Sequence, residues 1–146
     1  LRPLDKMAVR LGGGVNHRLG LFDAVLIKDN HIEAAGGITA AVAQQKKYLK
    51  KKLKIEVEVK NLSEVKEALD CGVDIIMFDN MTNAAMKKAV ALVHGRALTE
   101  ASGNVNLRRI SAIAKTGVDF ISVGELTHSV RAADISLLVK GASRQE

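Results

Sequence analysis

His17 and Arg18, then Lys28, Glu58 and Asp79, then Ser102-Gly103-Asn104 and Gly124, stand beside or at the end of successive short apolar runs. Their types sort by charge. Arg18 offers a planar fork that suits a carboxylate or a phosphate, and Lys28 a point charge beside it. Glu58 and Asp79 suit ribose hydroxyls or, through water, a magnesium ion. Ser102-Gly103-Asn104 ahead of a helix start, with Gly124 at the last strand, has the composition of a backbone-amide phosphate site. Together these residues suggest a sugar phosphate, an anionic co-substrate and a divalent metal.

The elements that must carry them follow from periodicity. Strands are expected at 25–28, 55–59, 75–78, 97–100 and 120–123, each ending in a polar or glycine position. Helices are expected at 3–11, 38–52, 82–94, after Asn61 and after Asn106, with a helical or mixed segment over 125–139 and a frayed tail at 140–146. Leu4, Met7, Ala8 and Leu11 form the apolar stripe of the first helix, which Gly12-Gly13-Gly14 stops. Leu62, Val65, Ala68 and Leu69 form another, capped by Asn61 with Glu64 in capping-box spacing. Leu107, Ile110 and Ile113 form a third. Cys71-Gly72-Val73-Asp74-Ile75-Ile76 is echoed by Thr116-Gly117-Val118-Asp119-Phe120-Ile121, each copy lying where a helix gives way to a strand.

Regular alternation of strand and helix, with no hairpin signal, specifies an α/β fold with a parallel sheet. The absence of Gly-x-Gly-x-x-Gly after the first strand argues against a dinucleotide-type open sheet. A closed (β/α) barrel needs about eight units and ~250 residues. The five units in this 146-residue chain make a partial TIM-type barrel lacking amino-terminal units. Leu1 in first position fits a chain that belongs to a longer polypeptide. In such a barrel the outer face of each strand packs on helices, which sends Glu56 and Glu58 inward. A structural salt bridge is the competing role for either acid.

Composition narrows the partners. The formal charge of +6 concentrates in Lys46-Lys47-Tyr48-Leu49-Lys50-Lys51-Lys52, a solvated helix face, and Phe22, Tyr48, Phe78 and Phe120 are too few for base stacking on nucleic acid. No apolar run approaches the ~20 residues of a membrane span. The single cysteine, Cys71, reads as a small hydrophobe and suits a reducing cytoplasm. His31 and His128 flank the site, and His94 is an exposed helix end.

Six stretches carry a resemblance. Residues 12–23 (Gly-Gly-Gly-Val-Asn-His-Arg-Leu-Gly-Leu-Phe-Asp), 26–31 (Leu-Ile-Lys-Asp-Asn-His) and 56–59 (Glu-Val-Glu-Val) are the first three. Residues 77–81 (Met-Phe-Asp-Asn-Met), 100–104 (Glu-Ala-Ser-Gly-Asn) and 121–129 (Ile-Ser-Val-Gly-Glu-Leu-Thr-His-Ser) complete the set. In this order and spacing the chain resembles the carboxyl-terminal barrel of the quinolinate phosphoribosyltransferases. The resemblance implies synthesis of nicotinate mononucleotide, pyrophosphate and carbon dioxide from quinolinate and phosphoribosyl pyrophosphate, with Mg²⁺, in a homodimer or higher assembly. It places His17, Arg18 and Lys28 around quinolinate, with Lys28 also reaching the donor. It places Glu58 and Asp79, as catalytic groups with Lys28, on the ribose hydroxyls and the metal-bound donor. Ser102, Gly103, Asn104 and Gly124 fall on the 5′-phosphate. The family's Thr-Arg-Lys-Thr segment and amino-terminal sandwich domain have no counterpart in these residues, and the stretch between Asp79 and Glu100 is a few residues shorter. The resemblance therefore implies impaired catalysis by these residues alone. The alternatives are a related phosphoribosyl-transferring barrel with another acceptor, such as the molybdenum-transport-associated paralogues, and a non-catalytic barrel module.

Overall fold

A computed structural model describes residues 1–49 and 53–139 of the chain. Five parallel strands lie side by side in chain order: β1 (Val25–Ile27), β2 (Ile55–Val59), β3 (Ile75–Asp79), β4 (Leu98–Ser102) and β5 (Phe120–Ile121). The helices are α1 (Arg2–Leu11), α2 (Asp29–Ala35), α3 (Ile38–Tyr48), α4 (Leu62–Asp70), α5 (Asn83–Val93), α6 (Leu107–Ala114) and α7 (Glu125–His128). The sheet is an open arc of a barrel, as five strand–helix units dictate.

Alternation along the strands builds two faces. Ile27, Val57, Val59, Ile76, Phe78 and Ala101 join Val42, Val65, Ala68, Met86, Ala89 and Ile113 of the helices in one buried cluster. Burial of Phe78 alone is worth about 1.5–3 kcal/mol. The other face carries Glu56, Glu58, Met77 and Glu100, with Glu58 paired in register with Met77, and Met77 with Glu100. Both inward glutamates of β2 are thus where the pattern placed them, and they are buried.

The repeated Gly-Val-Asp has a structural cause. Gly72 and Gly117 both take left-handed backbone (φ +61° and +89°), which turns the chain from helix to strand. Asp74 then accepts from the Ile55 N–H at 2.8 Å, and Asp119 from the Thr99 N–H and hydroxyl, each at 2.7 Å. Each aspartate ties the foot of its strand to the foot of the preceding one.

Several boundaries differ from expectation. Helix α2 was not expected; the Lys28 N–H donates to His31 Nδ1 at 3.0 Å, so the polar cluster that ends β1 also starts a helix. The expected helix at 38–52 closes at Tyr48, with 50–52 outside the described residues, as is the tail at 140–146. β1 and β5 are shorter than expected and β4 runs on to Ser102. The expected segment over 125–139 is helical only as far as His128. The stripe of α1 covers nothing: no residue of that helix is buried, and Leu4, Met7 and Leu11 face solvent. Leu107 is exposed as well, because α6 seats only Ile110 and Ile113 on the core. An apolar stripe specifies which side of a helix can be covered, not that a covering element is present.

The caps follow the sequence. Asn61 accepts from the Glu64 N–H, while the Glu64 carboxylate reaches back to the Lys60 N–H, one residue before the capping-box position. Asn106 accepts from the N–H groups of Arg108 and Arg109. Cys71 is a free, half-buried thiol packed on the core.

Candidate active site

The carboxyl ends of the strands form a rim. Lys28, at the end of β1, places Nζ 2.8 Å from Glu58 Oε2 on β2. Glu58 is largely buried and Lys28 half exposed, so the pair presents a cation to the mouth and an acid beneath it. Lys60, two residues beyond Glu58 and so on the same face, pairs with Asp29 at 3.0 Å. That bond raises the Lys60 ammonium above its ordinary range, helped by the charges of Asp79 and Glu58, and lowers the Asp29 carboxyl. Lys60 and Asp29 were not expected in the site; period-two spacing from Glu58 was the available signal for Lys60.

Asp79 ends β3, and Asn80 turns the chain in left-handed backbone (φ 51°). The Asn80 amide donates to Asp79 Oδ1 at 2.9 Å and its carbonyl oxygen accepts from Asn104 Nδ2 at 2.9 Å. The Asn80 N–H donates to the Ser102 carbonyl at 3.0 Å. This residue therefore joins the acid of β3 to the loop after β4. Ser102, Gly103, Asn104 and Gly124 line one cavity of about 270 Å³ with Ser122 and His128. Arg109 steadies the loop, Nη1 donating to the Asn104 carbonyl at 2.8 Å. A Cβ on Gly124 would stand 2.9 Å from His128 Nε2, so a side chain there would have to push the His128 ring aside.

His17 and Arg18 part company. Lys6 of α1 holds their loop, donating through Nζ to the carbonyls of His17 (2.7 Å) and Arg18 (3.0 Å). The His17 ring turns onto the inner face, with Nε2 3.0 Å from Glu56 Oε2. That bond raises the imidazole pKa above its usual value, outweighing burial. Arg18 donates to the Ala24 carbonyl at 3.1 Å and lines a separate cavity of about 360 Å³ beside β1, with His31 and Gln45. Nothing in the local sequence of Lys6 foretold its role, which depends on how α1 folds back.

Residue by residue, then, Lys28 and Glu58 are in contact, Asp79 is linked through Asn80 to Asn104, and Ser102, Gly103, Asn104 and Gly124 share a cavity. His17 is joined to Glu56. Arg18 lies against the β1 edge.

These residues fall within a known domain. Residues 1–138 match the family "Quinolinate phosphoribosyl transferase, C-terminal domain". This chain belongs to that family. It is 50% identical to the chloroplastic nicotinate-nucleotide pyrophosphorylase (carboxylating) of Arabidopsis thaliana, over 95% of this chain and 45% of the relative. It is 48% identical to mitochondrial quinolinate phosphoribosyltransferase (decarboxylating) 2b of Nicotiana tabacum, with the same coverage of 95% and 45%. The solved nicotinate-nucleotide pyrophosphorylase of Francisella tularensis superposes with a TM-score of 0.87 at 51% identity, covering 92% of this chain and 48% of that one. The chain therefore spans about half the length of these quinolinate phosphoribosyltransferase relatives.

The oxygen donors of the rim, Glu58 and Asp79, suit a hard cation. Mg²⁺ is commonly bound through one or two carboxylates plus substrate phosphates and retained waters. With Glu58 Oε2 already facing Lys28 and Asp79 Oδ1 facing Asn80, the set fits an ion held through the donor or through water.

Proposed function

We propose that this chain is the phosphoribosyl-transfer barrel of a quinolinate phosphoribosyltransferase. The enzyme makes nicotinate mononucleotide, pyrophosphate and carbon dioxide from quinolinate and phosphoribosyl pyrophosphate, a step in NAD synthesis. The observation that carries the reading is the Lys28–Glu58 pair at the strand ends of a sheet whose next two strands end in Asp79 and the Ser102–Asn104 loop. Family membership supplies the substrate class.

Each role follows from charge. The Ser102, Gly103, Asn104 and Gly124 cavity takes the 5′-phosphate. Glu58 and Asp79 hold the ribose hydroxyls; as pyrophosphate departs, their negative charge stabilises the oxocarbenium-like sugar. The pyridine nitrogen then attacks the anomeric carbon. Its new positive charge lets the neighbouring ring carbon keep the electron pair of the carboxylate that leaves as carbon dioxide, and a proton replaces it. Lys28 and His17 hold the acceptor's carboxylates, which is a positioning task rather than covalent chemistry. Arg18, which donates to the Ala24 carbonyl beside β1, joins them only by leaving that carbonyl. Mg²⁺, when bound through the donor, neutralises the leaving pyrophosphate. The reading brings with it a homodimeric or larger assembly. The single cysteine, Cys71, suits a reducing compartment such as the cytoplasm.

The test is an assay of the full polypeptide carrying this chain, with quinolinate and with nicotinate as separate acceptors. Turnover of quinolinate with release of carbon dioxide is expected. Turnover of nicotinate alone would overturn the acceptor. Thermal shift with phosphoribosyl pyrophosphate and Mg²⁺ separates an enzyme from an inert module, since a ligand of the folded state stabilises by RT ln(1 + [L]/Kd).

A further inference from the structure

Glu56 has no part in the chemistry above, yet it is buried on the inner face two residues before Glu58. Its Oε2 meets His17 Nε2, while Oε1 is the one buried side-chain polar atom among the described residues with no hydrogen-bond partner. Burying a carboxylate costs several kcal/mol unless a positive charge stands beside it. Glu100 deepens that requirement. It is buried on β4, takes a hydrogen bond from the Ser122 hydroxyl, and lies in one group with Glu56 and His17 whose nearest N and O atoms are all within 4.8 Å. Burial, with the Glu56 charge adding to it, raises the Glu100 carboxyl pKa.

The charged groups around His17 leave one source for the compensating charge. Lys6, from α1, spends its ammonium on the carbonyls of His17 and Arg18, and Arg18 donates to Ala24. Glu56 and Glu100 come from β2 and β4. Only the imidazole itself sits in the group. A neutral imidazole that donates through Nε2 carries a lone pair at Nδ1, which repels a carboxylate; a second proton turns Nδ1 into a donor.

We propose that Glu56, backed by Glu100, is a positioning residue of the acceptor pocket: it fixes the His17 ring through Nε2 and keeps it an imidazolium, so that Nδ1–H is offered to an acceptor carboxylate. The acceptor half of this rests on the function proposed above; the charge on His17 does not. The side chain of His17 is 37% exposed and so within reach of a ligand, while Glu56 and Glu100 are buried. A divalent ion at the same three residues is the competing arrangement, and it requires a deprotonated Nε2.

The experiment is ¹H–¹⁵N imidazole spectroscopy of the metal-stripped full polypeptide carrying this chain, labelled at histidine, with His17 assigned by its loss in His17→Gln. At pH 7 both ring nitrogens of His17 should carry protons, and on raising the pH Nδ1 should lose its proton first. Glu56→Gln keeps an acceptor for Nε2 and removes only the charge. The midpoint should fall by about one pH unit, roughly tenfold in proton affinity, and by less in Glu100→Gln. Should Glu56→Gln not fold, the wild-type spectrum and Glu100→Gln decide. Added quinolinate should shift Nδ1 more than Nε2. A neutral His17 at pH 7, a bare Nε2, or midpoints unmoved in both variants overturns the proposal. An imidazolium that ignores quinolinate instead refutes the acceptor reading and leaves the charged His17 in place.

Discussion

The side-chain amide of Asn80 occupies the space into which a Gly103 side chain would grow. Asn80 and Gly103 lie on different strand ends, and both take left-handed backbone, at φ 51° and +90°. Their contact closes the gap between the acid of β3 and the loop after β4, so the two strand ends proposed to take the sugar and the phosphate are built as one unit.

Gly103→Ala should therefore break donor binding in the whole enzyme. Left-handed backbone costs alanine about 1–2 kcal/mol, and the new methyl must also displace the Asn80 amide. The KM for phosphoribosyl pyrophosphate should rise about tenfold or more, with the KM for quinolinate little changed. An equal rise in both would mean that the loop serves the fold rather than the phosphate.

Lys28→Ala should abolish turnover and leave the fold intact. The ammonium is half exposed, so its pairing with Glu58 contributes on the order of 1 kcal/mol or less to stability. Glu58→Ala should behave alike. Circular dichroism and melting set against the rate of nicotinate mononucleotide formation check this; near-normal activity in either variant would remove that residue from the mechanism.

Stability should fall with rising pH through two windows. Glu100 and His17 both have raised pKa values, so in each window the folded chain holds a proton that the unfolded chain has lost. The Glu100 contribution is complete below its unfolded value near 4.5 and is lost as pH climbs through its folded one. That of His17 is complete below 6.5 and is lost above it. Melting temperatures from pH 4 to 9 should show both declines, and Glu100→Gln should remove the lower one.

Asp119→Ala and Asp74→Ala should each destabilise the sheet by about 1–3 kcal/mol, because a strand-foot N–H loses its acceptor. Asp119, with two donors from Thr99, should cost the more. Urea unfolding measures the difference, and no loss in either variant would make the Gly-Val-Asp repeat incidental.

Local sequence determined the elements and the order of the sheet. Period-two runs such as Ile55–Val59, glycines at the helix ends and the Asn61 and Asn106 caps act over a few residues, and alternation of strand and helix leaves a parallel sheet as the way to bury every apolar face. The same alternation sent Glu56 and Glu58 inward and put Lys28, Asp79 and Ser102 at one end of the sheet.

Tertiary structure alone decided who touches whom. Lys6 anchors the His17 loop from eleven residues away, Asn80 bridges to Asn104 across 24, and Glu56 meets His17 across 39. It also left the stripe of α1 uncovered and turned Arg18 toward Ala24. Periodicity records which face a residue occupies, because that is fixed by the repeat of the backbone. Partnership across strands depends on register, twist and loop path, which are set only when the whole sheet is assembled.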